Sequence, residues 1–251
     1  MTIAVVTGAA QGIGAGIAEV LASHGITVAL VDVQRSKMIE VRNKIIQNGG
    51  NAAVHVTDVT DSNAVKALGN EIVLDHGVPD ILVNNAGVLY FQDFLEGDTA
   101  SWVDMVQTNI LGYLHTMGVF LPMMKREGRG HVVNIGSTNS REPAAGMAVY
   151  SGSKAFWLGA TPALRKELRG SGIKITQVEP GAVGTEKILN LMEDPSFQAL
   201  HEKFYPRAMV DLDRFRNRER LRPKDIGEVV WNAIKAADRI YEQDIYIGNK
   251  E

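Results

Sequence analysis

Thr7-Gly8-Ala9-Ala10-Gln11-Gly12-Ile13-Gly14 is the stretch whose reading decides the fold. It follows an apolar run at residues 3–6 and leads directly into residues 15–23, where apolar side chains recur at helical spacing. Glycine tolerates positive φ and carries no Cβ to keep the backbone away from an anion. A helix starting just behind such a loop offers unpaired N–H groups and a partial positive charge. Strand, glycine turn and helix in the first βα unit form the expected place for a dinucleotide. The plainer reading is a tight strand-to-helix turn that binds nothing. No Lys-Ser pair closes the loop, which argues against a nucleoside-triphosphatase.

Further along, aliphatic runs without strict alternation at 27–31, 53–56, 81–83, 131–135 and 174–178 predict strands of a parallel sheet covered on both faces. Helical spacing predicts helices over 14–24, 36–48, 62–76, 99–125 and 151–170. Gly25, Gly49 and Gly77 stand where left-handed caps would end three of them. Ser36 is the expected N-cap of the second. The alternation implies an α/β fold, a single doubly wound Rossmann-type parallel sheet with helices on both faces, spanning residues 1–251 as one domain. Residues 186–222 interrupt the pattern with Phe197, Phe204, Tyr205 and Phe215 and five arginines, Arg207, Arg214, Arg216, Arg218 and Arg220. An irregular insert this long reads as a substrate lid, the alternative being a solvated surface excursion. A helix over 225–237 and a short strand over 244–247 close the chain.

The 251 residues include no cysteine, which removes disulfides, thiolate metal sites and cysteine nucleophiles. Net charge is −3, with 26 basic residues spread along the chain, so no basic stripe points to nucleic acid. No apolar run approaches the ~20 residues of a membrane helix. The start, Met1-Thr2-Ile3-Ala4, lacks a positive leader. A soluble, cytoplasmic protein is expected.

Asp32 ends the second predicted strand, 18 residues after Gly14. A carboxylate there can accept both ribose hydroxyls of an adenosine and repel a 2′-phosphate, which favours NAD(H). Gln11 is neutral where a cation would help NADP(H), while Arg35 keeps the NADP(H) alternative open. Tyr150-Ser151-Gly152-Ser153-Lys154 sets a phenol and an ammonium four residues apart, on one helix face. Free tyrosine is a poor base at neutral pH, and a nearby cation stabilises its phenolate. Ser137 follows a strand end, where ligands bind in such sheets. Asn109 lies mid-helix, an unfavourable place for an amide without another task. Taken singly, these residues also read as a surface pair, a loop-capping serine and a solvent-facing amide.

Together, the segments resemble the short-chain dehydrogenase/reductase family over about three quarters of the chain. Residues 7–14 resemble its phosphate loop, Asp58-Val59 its adenine contact and Asn84-Asn85-Ala86-Gly87 its fourth-strand signature. Asn109, Ser137, Tyr150 and Lys154 match its catalytic tetrad in order and spacing. Pro180-Gly181-Ala182-Val183-Gly184-Thr185 matches the segment that holds the nicotinamide carboxamide.

The resemblance implies a cofactor site of Gly8, Gln11, Gly12, Ile13, Gly14, Asp32, Val33, Asp58, Val59, Asn85, Ala86, Gly87, Tyr150, Lys154, Pro180, Gly181, Val183 and Thr185, with no metal. It also implies that Tyr150 exchanges a proton with the oxygen of an alcohol or carbonyl substrate while Ser137 holds that oxygen. Lys154 would lower the Tyr150 pKa and bind the nicotinamide ribose, and Asn109 would hold a water linking Lys154 to solvent. NAD is the implied cofactor, with NADP as the alternative. A non-catalytic dinucleotide-binding regulatory protein is the reading of another class, opposed by the intact Ser137–Tyr150–Lys154 set. Two departures stand out. The chain ends Asp244-Ile245-Tyr246-Ile247 without the family's frequent double-glycine tail, and Gly136 precedes Ser137 where a second serine is frequent. A homo-oligomer, dimer or tetramer, is expected through helices 99–125 and 151–170, with Tyr113, Met117, Phe120, Phe156, Leu158 and Leu164 as its apolar face.

Overall fold

The computed structural model describes residues 2–205, 220–236 and 243–248. Seven parallel strands form one sheet in the order β3-β2-β1-β4-β5-β6-β7. They are β1 Ile3–Thr7, β2 Thr27–Asp32, β3 Asn51–Val56, β4 Ile81–Asn84, β5 Gly130–Ile135, β6 Ile173–Pro180 and β7 Gln243–Ile247. Every residue of β1 and β4 is buried, as a central strand covered on both faces requires. Helices α1 Gly12–Ser23, α2 Arg35–Gln47 and α9 Pro223–Ala236 cover one face. The other face is covered by α3 Ser62–His76, α5 Gly112–Glu127 and α6 Ala148–Glu167, with α4 Thr99–Val106 leading into α5.

The predicted elements are present with ends moved by a few residues. Gly25, Gly49 and Gly77 all carry positive φ just beyond their helices. α1 and α9 meet through glycines, since a Cβ on Gly227 would lie 2.8 Å from the Gly16 carbonyl oxygen.

The structure departs from the sequence expectations in four places. The predicted helix 99–125 is broken by one wider turn, Gln107–Leu111, in which the backbone bonds skip to the fifth residue. Ser36 is not the cap of α2, because the helix begins at Arg35 and puts Ser36 inside its first turn; Gln34 is the N-cap and offers no side-chain bond. The insert is not irregular where it is described: α7 Glu186–Glu193 and α8 Pro195–Phe204 are helices capped by Thr185 and Asp194. Phe215 and the arginines at 207, 214, 216 and 218 lie outside the described residues. Finally, Tyr113, Met117 and Phe120 do not form an outward face. They are at most 3% exposed and pack on the sheet against Val132 and Ile175, because their spacing turns that stripe of α5 inward. Apolar side chains left exposed on this side include Leu74, Val103, Val106, Leu111, Leu114 and Phe156.

Candidate active site

The strand order reverses direction between β1 and β4, and a cleft of about 510 Å³ opens at the carboxyl ends of these strands. Gly8, Gln11, Gly12 and Ile13 line it from the first loop, and Asp32 and Val33 from the end of β2. Asp58, Val59, Asn85, Ala86 and Gly87 line its middle, and Tyr150, Lys154 and Thr185 its far end.

The loop's shape requires its glycines. Gly8 has φ +65, and a Cβ there would come within 2.8 Å of the Ala86 Cα. A Cβ on Gly14 would lie 2.1 Å from the Gly8 carbonyl oxygen, so Gly14 shapes the loop from beneath and does not line the cleft. The Thr7 hydroxyl accepts from the N–H groups of Asn85 and Ala86 at 3.0 and 3.1 Å. No side chain caps the first turn of α1, whose N–H groups stay available to an anion. This cradle fits the diphosphate of a dinucleotide.

Asp32 is held by two backbone donors, Ala10 N–H at 3.2 Å and Gln34 N–H at 3.0 Å. Both bonds fix the carboxylate at the rim of the cleft. Lys37 donates to Gln11 Oε1 at 2.6 Å, a cation on the same rim that sequence reasoning missed. Its only signal was a helical position one turn after Gln34.

At the other end, Ser137 is 7% exposed and in extended backbone, opening a single tight turn at Thr138–Ser140. Its hydroxyl accepts from the Asn139 N–H at 3.2 Å, and Tyr150 lies half-buried in the first turn of α6. Burial pushes the Tyr150 phenol above its usual pKa, and the Ser137 hydroxyl acts in the opposite direction. Lys154, one turn later, is 4% exposed, and burial pulls its ammonium down to about 8. Asn109 sits fully buried in the wide turn. Its Oδ1 accepts from Val88 N–H at 2.9 Å, and its Nδ2 donates to Val88 O and Ser153 Oγ.

Beneath the Ser137 turn, buried Glu179 accepts from Ser140 Oγ at 2.9 Å and Arg141 Nε at 3.0 Å. It holds the turn, and nothing in the sequence pattern singled it out. A Cβ on Gly136 would lie 2.5 Å from Gln177 Nε2 and 3.1 Å from Glu179 Cγ, so a side chain there would require both buried residues to shift.

Of the segment at 180–185, only Thr185 reaches the cleft. Pro180, Gly181 and Val183 do not line it. Pro180 ends β6, the Gly181 N–H donates to the Ile247 carbonyl of β7, and Val183 bridges to Leu221. Asp104 of α4, Thr108 of the wide turn and Lys187 and Ile188 of α7 also line the cleft and were not foreseen, because these elements reach the rim only through tertiary packing. α8 rests on the loops of the core. Phe197 and Phe204 pack on Phe91 at 4.7 and 6.4 Å between centroids. The Tyr205 hydroxyl accepts from Ala145 N–H at 2.7 Å, and Lys203 pairs with Asp93.

A family description, short chain dehydrogenase, matches residues 2–195 of this sequence. The chain belongs to the short-chain dehydrogenase family. This short-chain dehydrogenase is 34% identical over 247 residues to an uncharacterized oxidoreductase of Staphylococcus saprophyticus, covering 98% of this chain and 96% of the relative. It is 33% identical to a glycine betaine reductase of Emericella nidulans, of which it spans 18%. Among solved structures it is similar to a metagenomic short-chain oxidoreductase in complex with NADP, with TM-score 0.79, 29% identity and 99% and 98% of the two chains covered. It is also similar to an actinorhodin polyketide ketoreductase variant with NADPH, with TM-score 0.85, 28% identity and 99% and 96% covered. The protein is thus an oxidoreductase of a family that uses nicotinamide dinucleotides, with a Rossmann-type α/β fold. No helix among the described residues is long and apolar enough to cross a membrane.

Proposed function

We propose that this short-chain dehydrogenase interconverts an alcohol and its ketone or aldehyde, with NAD(H) as the hydride carrier. The observation that carries the reading is Tyr150 at the end of the cleft with Lys154 one helical turn behind it, and the Ser137 hydroxyl close enough to act on the phenol. When bound, the dinucleotide gives or takes the hydride. Tyr150 then moves the proton at the substrate oxygen, and Ser137 donates a hydrogen bond to that oxygen. Lys154 keeps a positive charge close to the developing phenolate. The α7–α8 segment, docked through Phe91 and Tyr205, would be the lid over the substrate. A turnover screen against secondary alcohols and ketones tests the reading. Dinucleotide binding without turnover of any of them would favour a regulatory protein instead.

NAD(H) is preferred because the Asp32 carboxylate is pinned at the rim, where a 2′-phosphate would be repelled. One observation supports NADP(H) as the second reading. Lys37 reaches Gln11 on the same rim, within the neighbourhood that a phosphate would enter. Parallel titrations with NADH and NADPH decide between them. We also propose a homo-oligomer, built on the exposed apolar residues Leu111, Leu114 and Phe156, and a cytoplasmic, small-molecule role with no nucleic acid or membrane partner.

A further inference from the structure

A second phenol lies behind the catalytic pair, and the proposed mechanism gives it no task. Tyr113 on α5 is 1% exposed, and its hydroxyl donates to the Ile135 carbonyl at 3.0 Å. Lys154 Nζ donates to that same carbonyl at 2.9 Å and to the Tyr113 hydroxyl at 3.4 Å, with the Tyr113 ring centroid 5.4 Å away. Next to it, the indole N–H of fully buried Trp157 donates to the Asn109 carbonyl at 2.9 Å, and the two rings stack at 5.3 Å between centroids. Each of the two stacked aromatics therefore engages one backbone carbonyl, and Tyr113 alone shares its carbonyl with the lysine.

We propose that Tyr113 is a positioning residue for Lys154, holding its ammonium as a fixed cation behind Tyr150 while Tyr113 itself carries no proton onward. The inference rests on the reading of Tyr150 as the acid/base. Its physical basis is the direction of the hydrogen bonds. Lys154 donates to Tyr113, and Tyr113 donates to a carbonyl, which has no proton to pass on. A proton chain in that direction ends at Ile135. Two of the three ammonium hydrogens are committed behind, which leaves one for the front of the site.

The groups facing Lys154 are few. α5 presents Tyr113, α6 presents Tyr150 one turn earlier, β5 presents the Ile135 carbonyl, and the loop after β4 presents the Gly87 backbone. Burial pulls the Lys154 ammonium down, and among the described residues no carboxylate pairs with it. The phenol oxygen, the carbonyl and the ring face are what keep it a cation in a dry site.

The test follows the Lys154 charge itself in the cofactor-free protein, by NMR of lysine labelled at Cε, with the signal assigned through Lys154→Met. Tyr113→Phe keeps the ring and removes the acceptor oxygen. The lysine midpoint should fall by about one pH unit, a tenfold change in the ratio of protonated to neutral lysine at a given pH. Trp157→Phe should leave the midpoint in place, because it touches Asn109 and not the ammonium. An unchanged midpoint in Tyr113→Phe, or an equal fall in both variants, overturns the proposal. Should Tyr113→Phe fail to fold, Tyr113→Met takes its place with the same two outcomes, because it also removes the acceptor oxygen. None of these readings needs a substrate. Loss of turnover in Tyr150→Phe with no shift in Tyr113→Phe would sink this inference alone, whereas full turnover in Tyr150→Phe would sink the reading beneath it.

Discussion

Asn85 ties the loop after β4 to the loop after β1: its Nδ2 donates to the carbonyl oxygens of Thr7 at 2.9 Å and Gly8 at 3.2 Å. The same nitrogen would lie 2.6 Å from a Cβ placed on Gly14. One amide thus fixes the curvature of the phosphate cradle and the approach of α1. Asn85→Ala removes the donor to two partly buried carbonyls and is expected to cost about 1–3 kcal/mol. Dinucleotide affinity and thermal midpoint should fall together, as calorimetric titration and melting curves would read. A variant that melts normally and binds normally would show that the cradle stands without this tie.

Tyr150→Phe deletes the phenol oxygen and keeps the ring. Turnover should fall by about 10²–10⁴-fold, the usual contribution of a positioned acid/base. Dinucleotide binding, followed by fluorescence, should remain close to that of the wild type. Near-normal turnover would remove Tyr150 from its proposed role.

Asp32→Ala has two effects that can be separated. It removes the repulsion against a 2′-phosphate, so the difference between NADH and NADPH affinities should narrow. It also leaves the N–H groups of Ala10 and Gln34 without their acceptor, so binding of both dinucleotides should weaken. A wild type that already prefers NADPH would overturn the NAD(H) preference and point to Lys37.

His131 gives an expected pH dependence of stability. It is 6% exposed on β5, its Nε2 lies 2.8 Å from Thr176 Oγ1, and burial, then the Lys174 charge, pulls its pKa from 6.5 to about 4. The unfolded chain then binds the extra proton between about pH 6.5 and 4 while the folded one does not. The His131 contribution is fully present above the unfolded value and is lost as pH falls through that window. His131→Gln should flatten the decline of stability in acid, measured by denaturant unfolding from pH 7 to 4. An unchanged slope would assign the decline to other groups.

Leu114→Glu places a charge among the exposed apolar residues of α4, α5 and α6 without touching the sheet-facing side. If those residues form an interface between copies, light scattering should show the variant dissociating while the wild type stays above the mass of one chain. A monomeric wild type would remove the oligomer from consideration.

The alternation of apolar runs with helical periods determined the parallel sheet and its order of elements, because both periods are local properties of the chain. The glycine loop, Asp32 and the Tyr150–Lys154 pair were legible for the same reason: their spacing is short or they sit at strand ends. Tertiary structure decided what long-range contacts decide. Ser36 lost the cap of α2 because the helix started one residue earlier. Tyr113, legible as an apolar interface residue, turned inward and met Lys154, 41 residues away in sequence. Glu179 came under the Ser137 turn only through the β5–β6 pairing, and Trp157 reached the Asn109 carbonyl only because a wide turn presents it. Periodicity assigns a residue to a face. The partner it meets there is set by how neighbouring elements pack, which no local pattern encodes.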